Sequence, residues 1–226
     1  MVRDSKDVTR VFDLVIWDLD GTLIDSKADL VASVNAARGE MGLGPLTPEI
    51  VATYVGNGAP VLIRRALGPE APQADVDRAL DYFIRFYNEH CLDETRLYPG
   101  VAETLDAIHE SGGRLAVLTN KPVRISNRIV DGLGLSNLFF RVYGGNSFAE
   151  KKPHPSGILH LMSESGVSKE RTLMVGDSHV DIETAKNAKC KSCGVTWGFQ
   201  PESLKLVPPD YLVSSASEII RLTGGC

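Results

Sequence analysis

Two aspartates, Asp18 and Asp20, stand two positions apart directly behind the apolar run Leu14-Val15-Ile16-Trp17 and before the turn Gly21-Thr22. Carboxylates this close are unfavourable unless a cation lies near them, and oxygen ligands of this kind suit Mg²⁺. More polar groups follow other apolar runs: Thr119-Asn120, then Lys151-Lys152-Pro153-His154-Pro155, then Gly176-Asp177-Ser178-His179-Val180-Asp181. Each also has a plain structural use. Thr119-Asn120 can cap a helix, Lys152 can be a solvated lysine, and Asp177 and Asp181 can be acids at a helix start.

The elements that would carry these residues are readable. Residues 14–18 read as a buried strand, and 114–118, 139–143, 172–175 and 192–196 as four more. Helices are expected at 101–111, 123–133, 155–165 and 180–188, with a last one at 215–222 capped by Ser214-Ser215. Strands alternating with helices imply a doubly wound parallel sheet, an α/β fold. In such a sheet the C-terminal strand ends share one edge, so the polar residues converge there. Between the first strand and this pattern, 27–40, a segment starting at Thr47-Pro48-Glu49, 59–67 and 73–91 read as four helices with no strand among them. The expected division is a core of 1–25 and 96–226 with a helical cap of 26–95.

Composition narrows the function. The chain has 226 residues, 43% of them hydrophobic, and a net charge of −5 with no long run of one sign. A nucleic-acid surface is not indicated. No apolar run approaches the ~20 residues of a membrane span, and Met1-Val2-Arg3-Asp4-Ser5-Lys6-Asp7 has no apolar signal core, so a cytoplasmic location without membrane contact is expected. Cys190-Lys191-Ser192-Cys193 has C-x-x-C spacing but no second ligand pair, and is read as ordinary thiols.

The four motifs Asp18-x-Asp20-Gly21-Thr22, Thr119-Asn120, Lys152-Pro153-x-Pro155 and Gly176-Asp177-Ser178-x-x-Asp181 resemble, in order and spacing, those of the haloacid dehalogenase superfamily. The resemblance implies a Rossmann-like core with a helical cap and a Mg²⁺-dependent phosphatase mechanism. Asp18 would be the nucleophile and Asp20 the general acid and base. Asp18, the backbone carbonyl of Asp20, and Asp177 would hold the metal, with Asp181 a direct or water-mediated partner. Lys152, Thr119 and Asn120 would stabilise the phosphoryl group. Lys151 is expected to be exposed, and His154 and His179 to be solvated. Trp17 stands where the family has Phe, a conservative packing change.

Within the expected cap, Tyr54-Val55-Gly56-Asn57-Gly58-Ala59-Pro60-Val61-Leu62-Ile63-Arg64-Arg65-Ala66-Leu67 resembles the G-x-G…L-x-x-R-A-L segment of phosphoglycolate phosphatases, and Thr119-Asn120-Lys121-Pro122 looks like the same subgroup. Gly56, Asn57, Gly58 and Arg65 are thereby expected to bind a small phosphorylated substrate with a carboxylate, such as 2-phosphoglycolate. Relatives acting on sugar phosphates, an amino-sugar acid phosphate or pyrophosphate stay open, as do a phosphomutase and a non-catalytic phospho-ligand binder. A dehalogenase is disfavoured because those relatives lack the second Asp. A monomer or a homodimer is expected.

Overall fold

The computed structural model describes residues 10–224. The apolar run behind Asp18 forms β1 (Leu14–Trp17), whose four residues are fully buried. Then come β2 (Ile24–Asp25), α1 (Lys27–Glu40), α2 (Pro48–Tyr54), α3 (Ala59–Leu67), α4 (Gln73–His90) and β3 (Arg96–Leu97). The chain continues through α5 (Val101–Glu110), β4 (Arg114–Leu118), α6 (Val123–Gly132), β5 (Phe139–Tyr143) and α7 (Ser156–Ser165). It ends with β6 (Thr172–Gly176), α8 (His179–Ala188), β7 (Lys191–Val195), β8 (Tyr211–Val213) and α9 (Ala216–Thr223).

Six strands make one parallel sheet in the order β5-β4-β1-β6-β7-β8. A strand buried on both faces must be apolar throughout, which is why β1 shows no alternation. Val15 and Trp17 pack with Leu105, Ile108, Ile125 and Ile129 on one face. Leu14 and Ile16 pack with Ile158, Leu161 and Ala185 on the other. The sheet has one strand more than expected. Tyr211–Val213 is three residues long, too short for a periodic signal, and it lies on the sheet edge beyond β7.

The inserted helical cap, α1–α4, leaves and returns through a two-stranded antiparallel ribbon, β2 against β3, pairing Ile24 with Leu97 and Asp25 with Arg96. Its Val34, Leu62, Ile63 and Phe83 belong to the same apolar cluster as Val15 and Trp17. Buried Asp29, in the first turn of α1, accepts hydrogen bonds from the backbone N–H of Glu94 and Thr95 and from the Thr95 hydroxyl at 2.7–2.9 Å. It ties the start of the insert to its end. Among the described residues no helix is long and apolar enough to cross a membrane. Cys190 and Cys193 are free buried thiols, both pushed up to about 12 by burial, which makes them inert. Cys226 lies outside the described residues.

Replacing Asp29 with Ala strands several buried donors, each worth about 1–3 kcal/mol when left unpaired. Urea unfolding of Asp29→Ala is expected to show a loss of roughly 3 kcal/mol, with Asp29→Asn, which keeps an acceptor, losing less.

Candidate active site

Two parallel strands and the helix after the second deliver the acidic groups to one point. Asp18 is the first residue after β1, and Asp177 the first after β6. One turn further, Ser178 and Asp181 form a reciprocal capping box at the start of α8, the Ser178 backbone N–H and hydroxyl donating to Asp181 Oδ2. Asp181 is thus both a helix-start acid and a member of the site. Oxygens of Asp18, Asp177 and Asp181 all lie within 4.8 Å of one another, and all three residues are buried. Lys152, from the loop between β5 and α7, reaches in with Nζ 2.6 Å from Asp181 Oδ1 and 2.9 Å from Asp18 Oδ1. Its contact with Asp18 is close in charge but not aligned as a hydrogen bond, leaving Asp18 Oδ1 buried without a donor in line.

One lysine cannot offset three carboxylates. Burial pushes Asp18 up to about 6, with Lys152 opposing and Asp181 adding to the rise. Burial and the charges of Asp181 and Asp18 push Asp177 up to about 8, although the backbone N–H groups of Phe199 and Gln200 pull the other way. Burial opposes the charge on Lys152, yet Asp18 and Asp181 hold its pKa above the usual lysine value. Excess negative charge, hard oxygen donors and an undirected Asp18 oxygen fit a divalent cation. Asp177 can sit here because two glycines leave room. A Cβ on Gly21, where φ is +78°, would stand 2.4 Å from Asp177 Oδ2, and one on Gly198 would stand 2.2 Å from Asp177 Cβ.

The Asp20 carboxylate lines the same cavity but has partners of its own. Both its oxygens lie 2.8 Å from Lys121 Nζ, and Oδ1 also accepts from the Ser26 hydroxyl. The third Lys121 proton goes to the Tyr87 hydroxyl on α4, at 2.6 Å. The sequence assigns Lys121 no catalytic role, reads Ser26 as a helix start and gives Tyr87 no place at the site. Nothing in the spacing points Lys121 to Asp20, which stands 101 residues before it in the chain.

Thr119, Asn120, Gly56 and Gly58 line one cavity with Asp18, Asp20 and Asp177. The Asn120 amide is fully engaged: Nδ2 donates to the carbonyls of Gly56 and Lys152, and Oδ1 accepts from the Lys152 N–H. Its side chain therefore positions the lysine loop and has no donor free for a ligand. Asn57 meets the core through its carbonyl, which accepts from Lys151 Nζ at 2.6 Å. Arg65 is exposed on α3 and lies off the cavity lining. His154 is exposed beside Glu150, and His179 is half-buried. Sequence reasoning missed the loop after β7. Phe199 and Gln200 line the cavity, Asp177 accepts their backbone N–H groups, and Gln200 Nε2 donates to the carbonyls of Ala52 and Val55 at the end of α2. The rule that strand ends carry the site could have found it, since this loop follows a strand of the same sheet.

Asp18 and Asp177 have folded pKa values above the ~3.9 of an unfolded aspartate, so the folded chain binds more protons between about pH 4 and 8. Stability contributed by these groups is then lost as pH rises through that window. Thermal unfolding in chelator is expected to show a melting temperature falling by several degrees from pH 5 to 8, and a divalent cation is expected to suppress the fall. A flat profile in chelator contradicts this account of the triad.

Residues 15–195 match the family model of haloacid dehalogenase-like hydrolases. The chain is 40% identical over 203 residues to a phosphoglycolate phosphatase of Agrobacterium fabrum, covering 88% of this chain and 87% of that protein. It is also 40% identical over 219 residues to a phosphoglycolate phosphatase of Haemophilus influenzae, covering 93% and 98%. A crystal structure of a predicted phosphoglycolate phosphatase from Haemophilus somnus superposes with a TM-score of 0.91 at 34% identity, covering 95% of this chain and 99% of that one. With the acidic triad, its lysine and the second aspartate all at one sheet edge, the chain belongs to the haloacid dehalogenase-like hydrolases.

Proposed function

We propose that this chain is a Mg²⁺-dependent phosphomonoesterase that hydrolyses 2-phosphoglycolate to glycolate and phosphate. The observation that carries the reading is the buried triad Asp18, Asp177 and Asp181 with Lys152 at its centre, beside a second aspartate held apart from it. The relatives named above supply the substrate. The division into a core of 1–25 and 96–226 and a cap of 26–95 is part of this reading, supported by the β2–β3 ribbon that joins the ends of the insert.

Phosphate monoesters hydrolyse so slowly unaided that enzymes accelerate the reaction by up to ~10²¹-fold. A route through two displacements divides that barrier. An Asp18 oxygen attacks phosphorus and the ester P–O bond breaks, giving an aspartyl-phosphate. Asp20 gives its proton to the departing glycolate oxygen. A water then attacks phosphorus, Asp20 takes up its proton, and the Asp18–phosphate bond breaks to release phosphate. Lys152 and the Thr119 hydroxyl face the charge on the phosphoryl oxygens. Mg²⁺ held by Asp18, Asp177, the Asp20 carbonyl and, directly or through water, Asp181 would bring Asp18 and the phosphoryl group together by neutralising their repulsion.

The cavity lies between the sheet edge and the cap, lined by Leu30, Leu62 and Phe83 on one side and by Asp18, Asp20 and Asp177 on the other. That suits the exclusion of bulk water during the reaction. Phosphate release from 2-phosphoglycolate, sugar phosphates and pyrophosphate, with Mg²⁺ and with chelator, tests the reading. Turnover is expected to peak on 2-phosphoglycolate, to vanish in chelator and to fall by about 10⁴-fold or more in Asp18→Asn. Turnover that peaks on another ester would discard the substrate and keep the mechanism. A folded chain inactive on all of them would favour a phospho-ligand binder.

A further inference from the structure

The cavity between cap and sheet edge has two unlike walls. The insert contributes the apolar side chains of Leu30, Val55, Ala59, Leu62 and Phe83, the backbone of Gly56 and Gly58, and Tyr87, whose hydroxyl already accepts from Lys121. The sheet edge contributes the carboxylates Asp18, Asp20 and Asp177 and the uncharged Thr119, Asn120, Ser178 and Gln200. A phosphorylated acid carries a second negative group besides its phosphate, and the apolar, uncharged polar and acidic groups of these walls offer it no opposite charge once water is excluded. Among the described residues, Lys121 is the one cationic side chain lining the cavity. Lys152 is committed to Asp18 and Asp181. Arg65 lies off the lining.

Covalent geometry then places the second group. Asp20 must stand beside the ester oxygen to exchange a proton with it. In a phosphorylated 2-hydroxy acid a single carbon separates that oxygen from the carboxylate. A cation 2.8 Å from both Asp20 oxygens is therefore beside the carboxylate as well. All three Lys121 protons are engaged, but Asp20 Oδ1 is also served by the Ser26 hydroxyl. Lys121 can turn one N–H from Oδ1 to an incoming carboxylate without leaving Oδ1 bare.

We propose that Lys121 is the specificity-determining residue that receives the carboxylate of a phosphorylated 2-hydroxy acid, with Tyr87 positioning its ammonium group. The inference rests on the reading of the chain as a phosphatase of a small acidic ester. It has a counterpart in what the site rejects. The hydroxyls of a sugar phosphate would lie against Leu30, Leu62 and Phe83 without partners, and sites discriminate strongly when polar groups are left unpaired.

The test compares kcat/KM for 2-phosphoglycolate with that for 2-hydroxyethyl phosphate, which has the same carbon count and no carboxylate. Lys121→Met loses the partner of Asp20 and slows both esters, so the ratio between them is the readout. That ratio is expected to fall by about 10- to 150-fold, the worth of one charge-assisted hydrogen bond. Tyr87→Phe is expected to raise KM for the acidic ester more than for the neutral one and to move the ratio the same way by less. Lys121→Gln gives the same readout if the methionine variant melts early. As a measurement without turnover, Lys121→Met in the Asp18→Asn background is expected to weaken binding of 2-phosphoglycolate and not of inorganic phosphate. An unchanged ratio in both Lys121 variants, with a native chain that prefers 2-phosphoglycolate, overturns the inference alone. A native chain that ignores 2-phosphoglycolate and releases phosphate from other esters overturns the substrate reading together with it.

Discussion

Repulsion among carboxylates brought together out of water shapes this molecule around its sheet edge. Asp18, Asp177 and Asp181 are fixed by the ends of β1 and β6 and the first turn of α8, so they cannot move apart to relieve it. Lys152 offsets part of the charge, and the backbone N–H groups of Phe199 and Gln200 offset a little more at Asp177. What is left is an acidic cluster that could hold a cation. The bare backbone at Gly21 and Gly198 follows from the same crowding, since any side chain there would meet Asp177.

Keeping Asp20 out of that triad is equally a matter of charge. In an extended chain two residues this far apart would share a face, but the chain turns after β1, with the N–H groups of Thr22, Leu23 and Ile24 all on the Leu19 carbonyl, and the turn sets Asp20 against Lys121 and Ser26, with Tyr87 behind the lysine. Two aspartates of the same type thereby acquire separate surroundings, one crowded by carboxylates and one held by an ammonium group. In the proposed mechanism, these separate surroundings let one carboxyl act as nucleophile while the other handles protons.

The sequence was readable where a residue's role follows from its place in a strand or a helix start. The apolar run before Asp18, the strands at 114–118 and 139–143 and the helix opened by Ser178 appear as the spacing implies. The convergence of Asp18, Thr119, Lys152 and Asp177 follows from parallel strands alone. Partners set by the return of a distant helix were not readable. Tyr87 meets Lys121 only because α4 packs back over the sheet edge, and hydrophobic periodicity in α4 reports that it packs, not what it touches. The three residues of β8 and the loop ending in Gln200 were lost for a related reason, being too short or too irregular to carry a period.

The insert is docked in an asymmetric way. Asn120, Lys151 and Gln200 of the core donate to the main-chain carbonyls of Gly56, Asn57, Ala52 and Val55, and to no side chain of that segment. Every residue type offers the same carbonyl. Side chains of the segment can therefore drift under mutation without loosening its grip on the core, as long as the backbone path is kept. A fold built this way can explore new ligand preferences on its lid while the reactive edge beneath it stays the same, which makes the docking itself a source of evolvability.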